Sequence, residues 1–320
     1  MRNILVSGAS GIVGYGILRS LRLSGQSLNL IGTSIYSDSV AQGFCDIFGQ
    51  APPTHATVYP EWLQNTINKY QVDLVIPGIE IDMYAWLEQI PEIEASGAKA
   101  VLNKPELIRL CQDKWAFYTD LDAAGMSCAI ESSLSTEFDA LKHRFGLPFL
   151  LKPRQGFGSK GIVTVTDEAV FLRHQKNMSS LLMAQPIVGN DDEEFTVAAF
   201  CDGCGGFYAS MALRRKLSRE GFTDKAEVVA TGEFNETISA LCKEYLPVGP
   251  TNFQFRKCAE GMKLLEINPR ISSSTSIRAA FGYNESAMAV DYYLNHQIPR
   301  QPEIKRGRAV RYTDEHIFYE

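Results

Sequence analysis

The chain has 320 residues, 45% of them hydrophobic and 21% charged, which excludes a disordered, collagenous or coiled-coil protein. Against 37 Asp and Glu stand 31 Lys and Arg, a formal charge of −6 that argues against a nucleic-acid partner or an anionic membrane surface. It leaves open a small anion held in one pocket. No apolar run approaches the roughly 18 to 20 residues of a membrane span, and seven scattered cysteines suit a reduced, cytoplasmic chain.

In chain order, residues 3–7 read as a short apolar strand and Gly8, Gly11 and Gly14 as a glycine turn. Ile12, Val13, Ile17, Leu18 and Leu21 then recur at helical spacing. Residues 28–32 read as a second strand, 62–70 as a helix opened by Pro60, 72–77 as a buried strand and 83–93 as a helix. Strands alternating with helices predict a parallel sheet covered on both faces, to about residue 110. The glycine spacing also suits an NAD(P) site. Against that, Gly32-Thr33-Ser34 ends the second strand where a ribose-binding acid belongs, and no Tyr has a Lys four residues later. A tight strand-to-helix turn is the better reading.

The texture then changes to α+β: helices over 114–124 and 137–145, strands over 148–152 and 162–166, and β-rich stretches over 180–185, 194–201, 206–213 and 226–230. A helix over 234–245 and strands over 251–257 and 262–268 follow. Cys201-Asp-Gly-Cys204 reads as a hairpin turn, because a zinc site needs a second cysteine pair and none exists.

Two stretches carry chemistry. Residues 152–161 gather Lys152, Arg154 and Lys160 with Gly156, Gly158, Gly161 and Ser159 between two strands. Glycines free backbone N–H groups to wrap an anion, and the absence of any Gly-Lys dipeptide excludes a Walker A loop. Near the C-terminus, period two puts Glu266 and Asn268 on one strand face, with Leu265 and Ile267 on the other. Gln254 of the preceding strand adds a third hard oxygen donor of the kind Mg²⁺ takes beside nucleotide phosphates. Arg270, on the same alternation, is placed to reach a transferring phosphoryl group.

Lys114, the loop 152–161, the strand 182–189, Glu194-Phe-Thr-Val197 and Glu266-Ile-Asn-Pro-Arg270 together resemble ATP-grasp enzymes in order and spacing, over almost the whole chain. The nearest resemblance is to half of a carbamoyl-phosphate synthase large subunit, because Gln254 stands where many relatives carry Asp. It implies an α/β fold, α+β in the second half: a Rossmann-like pre-ATP-grasp domain (1–110) and a two-lobed ATP-grasp domain. The small lobe (111–188) would carry the glycine loop and the large lobe (189–320) the metal site.

By the same resemblance, Lys114 and Lys152 would bind phosphates, and the loop with Arg154, Gly156, Gly158, Ser159, Lys160 and Gly161 would close over them. Gln185 and Ile187 would offer backbone groups to adenine, with Met183 and Leu265 in the same pocket, and Glu194 or Glu193 would hold the ribose. Glu266 would bridge two Mg²⁺ ions (Mn²⁺ as an alternative), with Gln254 and Asn268 completing the shells. Arg270 and either Arg214 or Arg215 would stabilise an acyl phosphate.

The implied activity is ATP-dependent ligation of a small carboxylate to an amine such as that of an amino acid. Phosphotransfer to carbamate, an NAD(P)-binding protein and a non-catalytic ATP sensor are the alternatives, and a homodimer is allowed for. Glu80 and Asp82, just beyond a strand end, are candidate amine-binding groups, and residues 272–275 are candidate substrate-pocket lining.

Overall fold

Short β-branched and leucine-rich runs open the chain, and in the computed structural model, which describes residues 1–156 and 160–319, they pair in parallel. β1 (Arg2–Val6), β2 (Leu28–Ser34), β3 (Ile47–Gln50), β4 (Leu74–Ile76) and β5 (Lys99–Ala100) lie in the order β3-β2-β1-β4-β5. Their connections contain α1 (Ile12–Leu23), α2 (Tyr59–Tyr70), α3 (Glu80–Leu87) and α4 (Ile90–Ala95). Side chains of β1 alternate between two cores: Ile4 and Val6 meet Ile17 and Leu18, whereas Leu5 meets Tyr59, Leu63 and Ile67. Both faces are thus covered, as the uninterrupted apolar strands require.

The helix expected over 83–93 is two helices, because Pro91 restarts the chain in the first turn of α4. The glycine turn is packed shut. A Cβ on Gly8, whose φ is +55°, would stand 2.5 Å from Cγ2 of Ile79, and one on Gly14 would stand 2.4 Å from the Gly8 carbonyl.

After α5 (Pro105–Gln112), Asp113 caps α6 (Lys114–Ala123) by accepting from the amides of Trp115 and Ala116. A three-stranded antiparallel sheet, β7-β6-β8, follows, built from β6 (Phe149–Pro153), β7 (Val163–Val165) and β8 (Leu182–Pro186). α7 (Phe138–Phe145) and α8 (Glu168–Leu172) cover it through Leu141 and Phe171, which pack with Phe149 and Leu151.

Next comes a six-stranded antiparallel sheet, ordered β13-β12-β9-β10-β11-β14. Its strands are β9 (Glu194–Asp202), β10 (Phe207–Leu217), β11 (Thr223–Val229), β12 (Val248–Cys258), β13 (Gly261–Asn268) and β14 (Arg308–Val310), with α9 (Gly232–Tyr245) after β11. The β9–β10 hairpin turns on Asp202, whose carboxylate accepts from the amides of Cys204 and Gly206 at 2.7 and 2.9 Å, as the Cys-Asp-Gly-Cys reading expects.

Two packings cross the expected boundaries. Phe117, Tyr118 and Leu121 of α6 join Phe195, Phe253 and Ile267, so this helix lies on the six-stranded sheet, although its residues fall within the expected 111–188 lobe. α10 (Thr275–Ala280) and α11 (Glu285–Asn295) return the chain to the first sheet, where Ala289 and Val290 pack with Ile17 and Leu21.

Candidate functional site

The three-stranded and six-stranded sheets, with α1 and α3 from the first layer, line a cavity of about 310 Å³. Part of its wall is apolar: Leu150 of β6, Ile162, Pro186 at the end of β8, Val188 and Leu265 of β13. Leu265 faces the cavity because the strict alternation expected of β13 is broken. Gln254 stands opposite Glu266 but Phe255 stands opposite Leu264, so Leu265 is the extra residue of a bulge. The Tyr118 hydroxyl donates to the Leu265 carbonyl and holds that bulge.

Of the expected adenine residues, Met183 is fully buried in the core beneath the large sheet. Gln185 is also fully buried and donates to Ser132 Oγ at 2.8 Å. The Ile187 side chain is exposed. None of these three side chains lines the cavity, so what remains open to Gln185 and Ile187 is the expected backbone role.

The cationic section contains Lys114, Lys152, Gly156 and Lys160. Lys114 Nζ donates to the Gly156 carbonyl at 2.6 Å, tying α6 to the glycine loop. Burial pushes the Lys152 ammonium down to about 8. Arg154 is a correction: its guanidinium pairs with Asp113 at 2.5 Å and donates to the Ser179 carbonyl at 2.6 Å, outside this cavity. The acid that caps α6 has taken the charge. Gly161, at φ +76°, lies outside the cavity wall too and turns the chain beside Pro153. Gly158 and Ser159 fall outside the described residues.

Glu194 sits between two arginines. Its Oε1 accepts from Nε and an amino nitrogen of Arg215 at 3.1 and 3.0 Å, and its Oε2 from Arg256 at 2.8 Å. Arg215 also donates to Gln254 Oε1. Strand alternation decides between the neighbouring arginines: Arg215 points inward, whereas Arg214 is exposed and pairs with Glu227 across β11 at 2.5 Å. Glu194 rather than Glu193 lines the cavity.

Glu266 Oε1 accepts from Asn268 Nδ2 at 3.0 Å, and Asn268 Oδ1 lies 3.4 Å from Arg270. Arg270 in turn pairs with Glu80 at 2.5 Å. Gln254, Glu266 and Asn268 offer one carboxylate and two carboxamides, a hard-oxygen set suited to Mg²⁺ only when phosphate oxygens share it. Accordingly, no cluster of three or more His, Cys, Asp or Glu fit for a metal occurs among the described residues. Asp82 is a further correction: buried, it accepts from Thr54 at 2.6 Å and Tyr59 at 2.9 Å within the first core. Ser272 and Ser273 line the cavity, while Ser274 and Thr275 are buried beneath it.

Residues 180–316 match the family model described as ATP-grasp in the biosynthetic pathway with Ter operon. The carbamoyl phosphate synthase large chain of Thermotoga neapolitana is 21% identical over all of this chain, which covers 32% of that protein. That of Paenarthrobacter aurescens is 26% identical over 58% of this chain, covering 18% of the relative. The chain therefore spans about a third or less of the curated relatives it matches. The N5-carboxyaminoimidazole synthetase of Staphylococcus aureus complexed with ADP superposes with a TM-score of 0.72 at 18% identity, over 95% of this chain and 80% of that one. This is the ATP-grasp fold. The biotin carboxylase of Campylobacter jejuni shares it, with a TM-score of 0.73 at 15% identity over 96% and 74% of the two chains.

Sequence reasoning missed part of the ATP-grasp cleft. Arg256 was legible, since it lies two residues beyond Gln254 on one strand face. Leu217, Glu220 and Phe222 bracket the β10–β11 turn, where local pattern carries no sign of a cleft. Below the cleft, fully buried Arg278 bonds Ser272 at 2.8 Å, Glu285 at 3.1 Å, Thr196 at 2.9 Å and Asn252 at 2.6 Å. Nothing in the six-residue helix Thr275–Ala280 announces that role.

Proposed function

We propose that the chain is an ATP-dependent ligase joining a small carboxylate to an amine through an acyl phosphate. The observation that carries this reading is one cleft that collects Lys114, Lys152 and Lys160 together with Glu266, Asn268 and Arg270, the last three in register. Leu150, Ile162, Pro186, Val188 and Leu265 form the apolar face for adenine. Lys114, Lys152 and Lys160 neutralise the phosphates, and Glu194, held by two arginines, takes the ribose hydroxyls.

A substrate carboxylate oxygen attacks the γ-phosphorus, ADP leaves, and an amine nitrogen then attacks the acyl carbon, expelling phosphate and releasing a proton. Little covalent work falls to the protein. Arg270 and Arg215 stabilise charge on the transferring phosphoryl and acyl phosphate groups, and the walls exclude water. Gln254, Glu266 and Asn268 would hold Mg²⁺ shared with the phosphates, which supplies further charge neutralisation.

The sequence match of the whole of this chain to about a third of a carbamoyl phosphate synthase large chain favours a second reading, in which the phosphorylated acceptor is itself released. A screen of carboxylic acids and amines with Mg-ATP, read by ADP release and mass analysis, separates the two. Ligation gives an amide and free phosphate; phosphotransfer gives a phosphorylated product and no amide. ADP release with no acceptor dependence contradicts both.

A further inference from the structure

Arg270 and Glu80 form an ion pair that the nucleotide site does not explain. The carboxylate comes from the first turn of α3 and the guanidinium from just beyond β13, and the Glu80 and Arg270 side chains are only 16% and 14% exposed. The Glu194 partner of Arg215 has ribose hydroxyls to hold, but the carboxylate 2.5 Å from Arg270 has no task in the nucleotide site and repels an incoming anion. The pair makes sense as a stand-in for a ligand carrying both charges.

Neither half can be displaced alone without cost. A simple carboxylate that takes Arg270 strands Glu80 as an unpaired, mostly buried anion, and a simple amine on Glu80 strands Arg270. A zwitterion satisfies both at once. Ile12 and Val13 of α1 and Leu217 and Phe222 of the β10–β11 turn add apolar surface to the same cavity, beside Ser272 and Ser273. We infer that the carboxylate substrate is an amino acid with an apolar side chain, its carboxylate on Arg270 and its ammonium on Glu80.

The binding claim stands on the pair itself; that this ligand is the activated carboxylate rests on the ligase reading. Arg270 lies 3.4 Å from Asn268, whose amide bonds Glu266, so a carboxylate on Arg270 adjoins the phosphate end of the cleft. An ammonium held by Glu80 keeps its proton and has no free lone pair. The molecule is therefore activated at its carboxyl, and its amine is withheld from attack on a second activated molecule.

Calorimetric titration of the whole chain, with and without Mg-ADP, tests this with leucine (L and D separately), glycine, 4-methylpentanoate and 3-methylbutylamine. One leucine enantiomer should bind at least ~10-fold more tightly than the deaminated acid or the decarboxylated amine, because each of those leaves a buried charge unpaired. Glycine should bind more weakly than leucine, and Phe222→Ala should narrow that difference. Glu80→Gln should abolish the preference for leucine over 4-methylpentanoate while leaving Mg-ADP binding intact.

Equal affinity for leucine and 4-methylpentanoate, no binding of either leucine, or an unchanged preference in Glu80→Gln overturns the inference. If 4-methylpentanoate-like acids instead support ADP release, the ligase reading survives and this one fails. If Mg-ADP does not bind while leucine does, the ligase reading fails and the zwitterion site stands.

Discussion

Lys152 faces the cleft beside Leu150 in β6, and its own burial there lowers its ammonium to about 8. Nucleotide phosphates beside it favour the charged form, so binding at or above pH 8 must take up a proton. Nucleotide affinity should fall as pH rises through 8, with proton uptake visible as a dependence of the binding heat on buffer ionisation. Lys152→Met should bind more weakly and lose most of that pH dependence; an unchanged profile would remove Lys152 from the phosphate site.

Glu266 is the only carboxylate among the three expected metal donors. Glu266→Gln should lower ADP release by at least ~100-fold while nucleotide affinity changes by less than ~10-fold, the pattern of an interaction made in the transition state. Substantial turnover in that variant contradicts the assignment. Period two was enough to bring Glu266, Asn268 and Arg270 to one cavity from sequence alone. It could not show that Arg154 is drawn off by Asp113, a cap 41 positions earlier, since residue spacing says nothing of such a partner.

Strands were easier to read than the irregularities that aim their side chains. The bulge at Leu265 turns toward the cleft a residue that period two alone places on the face opposite Glu266, and its hydrogen bond comes from Tyr118, 147 positions away. β3 escaped notice because its four residues are half-buried or exposed and show no alternation. The last helices escaped because short runs such as α10 carry weak periodicity.

α10 nevertheless anchors the floor of the site: Arg278 joins β9, β12 and the Ser272 turn through buried hydrogen bonds. Arg278→Ala leaves Glu285 as a fully buried anion without its partner, and should lower unfolding free energy by about 3–5 kcal/mol. Chemical denaturation checks this. A loss under about 1 kcal/mol would mean that the network is dispensable.

Across the chain, the charge of −6 is an average that conceals a local reversal. Lys114, Lys152, Lys160, Arg215, Arg256 and Arg270 reach one cavity from the three-stranded and six-stranded sheets and α6, although some lie more than a hundred positions apart. The alternation of strands and helices made the first sheet legible, and the ordered motifs made the ATP-grasp fold legible. The mixing of units was not: α6 on the large sheet and α11 on the first are decided by long-range apolar contacts that local periodicity does not encode.

The central claim is that this cleft couples ATP cleavage to amide formation, and the most direct measurement is isotope transfer. With an ¹⁸O-labelled carboxylate substrate, Mg-ATP and an amine, one label should appear in the released phosphate, in step with ADP and amide. Unlabelled phosphate alongside amide, or ADP formed with no amide, would contradict an acyl phosphate and with it the proposed ligase.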